Sequence, residues 1–269
     1  MDIVHNQLKQ LFVAAWLGLL MPASGAPDAP AHVYGSSISQ ACQLGSDLYD
    51  ALDAKYQKSI HPEPVQVEPM GTVVIVPVEG TDESKSLRRV KVSAGFIDLM
   101  NHIAHAKAID RIQPGYFQQY IVNLSLAAEG DAPPEPPDMV DNRYWTDDVM
   151  NDQAGYFNQM IGMVVALNLS HHYLGHYSKC SSQMLAGKLV PINNLLAPAE
   201  WDASVKAATI NALNCALATE GPRALFEALD KLPKRPAWAD FIVPPATDLK
   251  KLSKQLKEYE EKFFKGGIK

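Results

Sequence analysis

The chain has 269 residues, 47% of them hydrophobic, so it can bury a sizeable core as one domain or as one domain with appendages. Its formal net charge of -6 is small and spread along the chain, and no Lys/Arg-rich segment lies outside the C-terminal tail. This distribution argues against nucleic acid as the main partner.

Residues 1–31 have the pattern of a secretory signal peptide. Lys9 and the N-terminus give a weakly positive start, and residues 11–21 form an apolar stretch that is too short to cross a bilayer. Ala29 and Ala31 fit the small-residue rule for cleavage after position 31. The alternative is an uncleaved N-terminal helix. Cleavage predicts a periplasmic or secreted protein whose mature part has no membrane span.

The pattern of the next elements predicts an α+β fold that is predominantly helical and contains a small antiparallel sheet. Apolar residues at helical spacing indicate a helix within residues 32–54. Strands are predicted at 72–78 and around 89–93, and a loop at 80–84 would join them as a hairpin.

A helix is predicted at 94–109, directly after the second strand, and it contains two histidines. His102 and His105 are three residues apart, a spacing at which two imidazoles can bind one metal ion. No acidic or cysteine partner is obvious on the same face. A solvated or hydrogen-bonded pair is therefore the expected arrangement.

After a further helix at 116–128, the chain contains an acidic, proline-rich segment at 129–138. Its prolines remove backbone donors and fix the backbone, so neither helix nor sheet is expected there. Such a surface loop either lies over a cleft or is mobile, and a mobile loop is the expected state.

The remaining chain is predicted to be helical. A long central helix is expected at 152–180, with further helices at 199–217 and 220–232, and residues 248–269 contain an amphipathic Lys/Glu-rich helix that packs on the outside. The apolar run at 160–169 is too short for a membrane span and indicates a buried helix.

The central helix carries a candidate metal site at its end. In one continuous helix, His172 and His176 lie one turn apart on one face, where both could bind one ion. His171 lies about 100° round the helix from His172 and suits a supporting position. Glu200 begins the next long helix. Two imidazoles and one carboxylate on neighbouring helices are an adequate set of zinc ligands.

Three cysteines, Cys42, Cys180 and Cys215, permit one disulfide and leave one thiol. Export would place them in an oxidising compartment. Cys180 and Cys215 are the favoured pair because both flank the helices of the candidate metal site.

The order of these motifs resembles the gluzincin metallopeptidases. The stretches His172-Tyr-Leu-Gly-His176 and Glu200-Trp-Asp-Ala-Ser204, with 23 residues between His176 and Glu200, are similar to the H-E-x-x-H and E-x-x-A-D pattern of the CAAX prenyl protease family and its soluble periplasmic relatives. The resemblance covers roughly residues 73–232.

This resemblance implies a zincin-like domain over residues 32–247 with a buried metal-site helix. It implies zinc held by His172, His176 and Glu200, with His171 and Ser204 supporting the ligands. Tyr173 stands at the position of the glutamate that activates the metal-bound water.

Two departures from the family pattern bear on activity. Ser204 replaces an aspartate that supports a ligand, and Tyr173 replaces the general base. A phenol with an ordinary pKa near 10 is a poor base at neutral pH, and loss of a general base lowers turnover by about 100-fold to 10,000-fold.

Three functions follow. The first is a zinc-binding but weak or inactive peptidase homologue that binds a polypeptide or an envelope protein. The second is an active periplasmic zinc metallopeptidase with an atypical base. The third is a helical binding protein without metal.

Overall fold

The computed structural model describes Tyr34 and residues 36–68, 79–82, 88–127, 131–180 and 190–268. The predicted signal peptide at 1–31 and the predicted strand at 72–78 lie outside the described residues. Elsewhere the prediction of a mainly helical chain with a small sheet is confirmed.

The helices follow the apolar patterns of the sequence. They are α1 (Ser37–Asp50), α2 (Ala54–Gln57), α3 (Ala94–Ile109), α4 (Tyr116–Leu126), α5 (Asp147–Tyr173), α6 (His176–Cys180), α7 (Pro198–Asn214), α8 (Glu220–Lys231) and α9 (Leu249–Phe264). Short 3-10 helices lie at Asn142–Trp145, Ile192–Leu195 and Ala237–Phe241.

The sheet of the described residues has three strands in the order β1 (Val65–Glu68), β3 (Arg88–Ser93) and β2 (Glu79–Asp82). β1 runs parallel to β3, with Val65 opposite Val90, and β2 runs antiparallel to β3. The prediction of an antiparallel sheet is therefore wrong for the β1–β3 pair. No strand is predicted from the sequence at β1, whose alternating valines follow directly on Pro64.

The boundary between β3 and α3 is set by one side chain. Ser93 ends the strand, and its hydroxyl accepts a hydrogen bond from the backbone N–H of Phe96 at 3.1 Å. This bond gives a partner to one of the backbone N–H groups of the first helical turn, which have none within the helix. The predicted helix at 94–109 is confirmed at both ends.

Helix α5 lies at the centre of the core. It packs against α3, α7, α8 and α1, and its apolar run from Met160 to Val165 is buried. Helix α8 approaches it closely, because Gly221 lies against the backbone of Tyr156 and Met160. The amphipathic α9 packs on α7 and α8 through its buried leucines. No helix of the described residues is long and apolar enough to cross a membrane.

Candidate functional site

The helix that carries the histidines ends inside the predicted motif. Helix α5 stops at Tyr173, Gly175 adopts a left-handed conformation with φ of 78°, and α6 starts at His176. Glycine adopts this conformation without the penalty that a Cβ imposes. The prediction of one continuous helix over 152–180 is therefore wrong, and His172 and His176 are not successive residues on one helical face.

His172 points towards the sheet. Its Nε2 lies 3.2 Å from the main-chain oxygen of Arg89 in β3. A carbonyl oxygen only accepts, so this nitrogen is the donor. The ring also stacks on Tyr177, with 4.4 Å between ring centroids. Both contacts fix His172 as part of the packing between α5, α6 and β3.

His171 and His176 are the two histidines that meet. Their Nδ1 atoms lie 3.1 Å apart, and the Ser204 hydroxyl of α7 lies 3.3 Å from each. Asn193 completes the cluster, since its Oδ1 lies 2.9 Å from His171 Nε2 and its Nδ2 donates to the main-chain oxygen of Asp240 at 3.1 Å. This polar cluster, which we call the His171 cluster, joins α5, α6, α7 and two 3-10 helices.

The hydrogen bonds of the cluster define its protonation. His171 Nε2 donates to Asn193 Oδ1, because the amide nitrogen of Asn193 faces another carbonyl. Burial, followed by the neighbouring His176, lowers the pKa of His171 from 6.5 to about 3, so the ring is neutral at pH 7. Its Nδ1 is then an acceptor, and the hydrogen between the two rings belongs to His176.

His176 is thereby left with Nε2 as its lone-pair nitrogen. Burial also lowers the pKa of His176, while Glu200 raises it to a smaller extent. A neutral imidazole can ligate a metal ion through this nitrogen. One nitrogen alone does not form a metal site, which needs further ligands directed at the same ion.

Glu200 serves the start of α7. Its carboxylate is paired with Lys179 and accepts a hydrogen bond from the backbone N–H of Ala197 at 3.0 Å. The contact with Lys179, followed by the Ala197 hydrogen bond, lowers the pKa of Glu200. A glutamate three residues after the N-cap, with Pro198 at the first helical position, is typical of a helix start.

Tyr173, at the position of the general base, turns away from the histidines. Its ring is partly buried and packs on Tyr56 of α2, with 4.6 Å between ring centroids. Burial raises the pKa of the Tyr173 phenol above its ordinary value, and Tyr56 adds to this. The phenol therefore stays protonated at neutral pH and cannot take a proton from water.

The cysteines are all free, so the predicted Cys180–Cys215 disulfide is not formed. Cys180 lies near Glu200 at the start of α7, whereas the thiol of Cys215, just after the end of α7, donates to the main-chain oxygen of Asp47 at 3.4 Å. The two cysteines are separated by nearly the whole length of α7, about 20 Å at 1.5 Å per residue. A disulfide needs Cα atoms within about 7 Å.

The predicted zinc ligands are thus not brought together. His172 faces Arg89, His176 faces His171 and Ser204, and the carboxylate of Glu200 is held by Lys179. Among the described residues, no group of three or more His, Cys, Asp and Glu side chains is arranged to hold a metal ion. The residues do not fit zinc in this arrangement, and zinc binding stays a prediction.

Two features of the cluster were missed in the sequence. Gly175 is a signal for the end of a helix, and it would have separated His172 from His176. Asn193 lies in a connection with two prolines and no periodic pattern, so nothing in the sequence placed it beside His171.

A scan against family models and searches among curated proteins and solved structures found no match to this chain. The likeness to the gluzincins therefore stays a prediction from the sequence motifs.

Proposed function

We propose that this chain is a helical protein that acts after export by binding another polypeptide, and that it does not hydrolyse peptide bonds. The observation that carries the second part is the position of Tyr173. Its phenol packs on Tyr56 and has a raised pKa, so no base stands where a zincin needs one.

The contacts of the other motif residues support the same conclusion. Glu200 neutralises Lys179 and caps α7, while His172 donates to a strand carbonyl. These are roles in the stability of the fold. The polypeptide partner is proposed from the resemblance to the gluzincin metallopeptidases. Export is proposed from the signal-peptide pattern of residues 1–31.

A zinc-binding, weak or inactive peptidase homologue is the second candidate. The observation that favours it is the closeness of His176 and Glu200, each of which shifts the pKa of the other. Zinc would be held there by His172, His176 and Glu200, and it would supply a polarised water. Binding would require Glu200 to leave Lys179 and the rings to turn.

The test compares Tyr173→Glu with Leu174→Glu. The second variant places the same carboxylate one residue later, at a partly exposed side chain. Each protein is incubated with zinc and a fluorescently labelled unstructured polypeptide, and both cleavage and fluorescence anisotropy are recorded. We expect binding without cleavage for the wild type and no cleavage for either variant.

Three results would contradict the proposal in different ways. Cleavage by Tyr173→Glu alone that a chelator abolishes would show an intact, disarmed zincin site. Chelator-sensitive cleavage by the wild type would show an active peptidase. Absence of binding by the wild type would remove the binding function. Stoichiometric zinc in the untreated protein, lost in Glu200→Gln, would establish the second candidate.

A further inference from the structure

A second histidine pair lies away from the His171 cluster, in the interior beside the proline-rich segment. Residues 131–146, which we call the strap, run from that segment through the 3-10 helix Asn142–Trp145. The strap lies against α3 and α4. The Tyr116 hydroxyl of α4 donates to the main-chain oxygen of Pro137, and Tyr144 of the strap donates to the Gln113 side chain at 2.9 Å.

Both histidines of α3 hold main-chain oxygens of the strap. His105 Nε2 lies 2.7 Å from the oxygen of Tyr144, and His102 hydrogen-bonds to the carbonyl of Pro134. Since His102 Nδ1 has no partner among the described residues, the bond to Pro134 is made by Nε2. Carbonyl oxygens only accept, so each ring carries its hydrogen on Nε2.

The surroundings of the two rings are aromatic, and both rings are buried. His102 is 8% exposed and His105 is fully buried. Tyr34 packs against both, and Trp145 of the strap lies 4.8 Å from the His105 ring. Among the described residues, the titratable or charged groups that face this region are Tyr34, Tyr116, Tyr120, Tyr144, Asp98 and Glu135.

No carboxylate of the described residues hydrogen-bonds to either imidazole. Asp98, one turn before His102 on α3, is exposed. Ser37 of α1 and Gln153 of α5 form an uncharged hydrogen-bond network with Asn101 of α3. A positive charge on either ring would therefore be buried without a carboxylate paired directly to it.

A second proton has no suitable place in the closed arrangement. It must bind Nδ1, because Nε2 is already a donor. At His102 this N–H would have no acceptor among the described residues. At His105 it would face the Tyr34 hydroxyl at 3.2 Å, which would have to turn from donating to accepting. Opening of the strap gives both rings access to water, which solvates the charge.

We propose that the strap is a pH-sensitive device that His102 and His105 hold closed while both rings are neutral and release when either becomes protonated. The device does not depend on the polypeptide-binding function proposed above.

The direction of the pH effect follows from linkage. Burial lowers the pKa of His102 from 6.5 to about 4 in the closed arrangement, and it lowers the pKa of His105 as well. The open strap binds the proton more readily, so closure is fully favoured above pH 6.5 and weakens as the pH falls towards 4. For His102 alone, the open fraction rises about 30-fold between pH 7.5 and pH 5.

Hydrogen exchange of the backbone amides at pH 7.5 and pH 5, corrected for intrinsic exchange rates, measures this change. We expect amides within 131–146 to lose about 30-fold protection, and to exchange faster than those of α8 and α9 at both pH values, because the strap opens without unfolding the helices. In the double variant His102→Gln/His105→Gln, the amide nitrogens can still donate to the strap carbonyls but cannot be charged. We expect its strap protection to be independent of pH.

His61→Gln is the matched control, because His61 lies near Arg89 and outside the strap contacts, and we expect it to respond as the wild type does. The proposal fails if strap protection is unchanged at pH 5, if the double variant responds as the wild type does, or if the strap amides exchange at the same rate as those of α8 and α9.

If the double variant does not fold, the fluorescence of Trp145 replaces it as the second measurement. Trp145 is partly buried in the closed strap, and release of the strap exposes its ring to water, which shifts indole emission to longer wavelength. We expect the emission of wild type minus Trp145→Phe to shift to longer wavelength with a midpoint below pH 6.5. Emission that stays constant from pH 7.5 to pH 4 would overturn the proposal.

Discussion

Replacing Asn193 by alanine tests whether the His171 cluster stabilises the fold. Asn193 is buried, and its side chain accepts from His171 Nε2 and donates to the main-chain oxygen of Asp240. Alanine removes both hydrogen bonds of the Asn193 side chain, and it leaves the buried Nε2–H of His171 without an acceptor. An unsatisfied buried donor of this kind costs about 1–3 kcal/mol, and loss of the second hydrogen bond adds about 1 kcal/mol.

We therefore expect Asn193→Ala to lower the free energy of unfolding by about 2–4 kcal/mol. Urea unfolding at pH 7.5, followed by circular dichroism at 222 nm, measures this change. Asn194→Ala is the matched control, because Asn194 belongs to the same 3-10 helix and is exposed. A surface substitution of this kind changes stability by no more than about 0.5 kcal/mol.

The reasoning is refuted if the two variants unfold at the same urea concentration. It is also refuted if His171→Leu combined with Asn193→Leu is as unstable as the sum of the single variants. The double variant loses the bond between His171 and Asn193 only once and leaves neither of these two groups unpaired, so it should be more stable than that sum.

Two further predictions concern packing and pH. Gly221→Ala places a Cβ 2.6 Å from the main-chain oxygen of Tyr156, and we expect it to lower the free energy of unfolding by about 1–3 kcal/mol. Gly155→Ala, in the interior of α5, places a Cβ with nothing within 4 Å, and we expect it to raise the free energy of unfolding by about 0.5–1 kcal/mol. Thermal unfolding compares the two variants. Folding lowers the pKa of His171 from 6.5 to about 3, so the unfolded chain binds the proton first and stability is lost as the pH falls from 6.5 towards 3. Between pH 7 and pH 5 the wild type should lose about 2 kcal/mol more than His171→Gln in urea unfolding, and equal losses would contradict this protonation state.

The helices were predictable because their patterns are local. Helix α3 matches its prediction at both ends, and α8 differs by one residue, since Gly221 and Pro222 mark its start. The parallel pairing of β1 with β3 was not predictable in this way. It depends on contacts between segments more than 20 residues apart, and the sequence near Pro64 gives no hairpin signal.

The candidate site was predicted in part. The sequence selected His171, His176 and Ser204 as members of one site, and the structure brings these three together. The sequence pattern predicts different roles for them, because it indicates a continuous helix through Gly175. The sequence also could not predict which way the Glu200 side chain turns, because a glutamate three residues into a helix serves equally as a metal ligand or as part of a capping box.

The left-handed backbone at Gly175 separates two alternative uses of the same three histidines. If α5 continued straight, His172 and His176 would stack one turn apart, and the contact between His171 and His176 would be lost. Any side chain at position 175 would penalise the bent form by about 1–2 kcal/mol. A residue other than glycine at position 175 would therefore weaken the bent form that brings His171 and His176 together, relative to a straight helix in which His172 and His176 share one face.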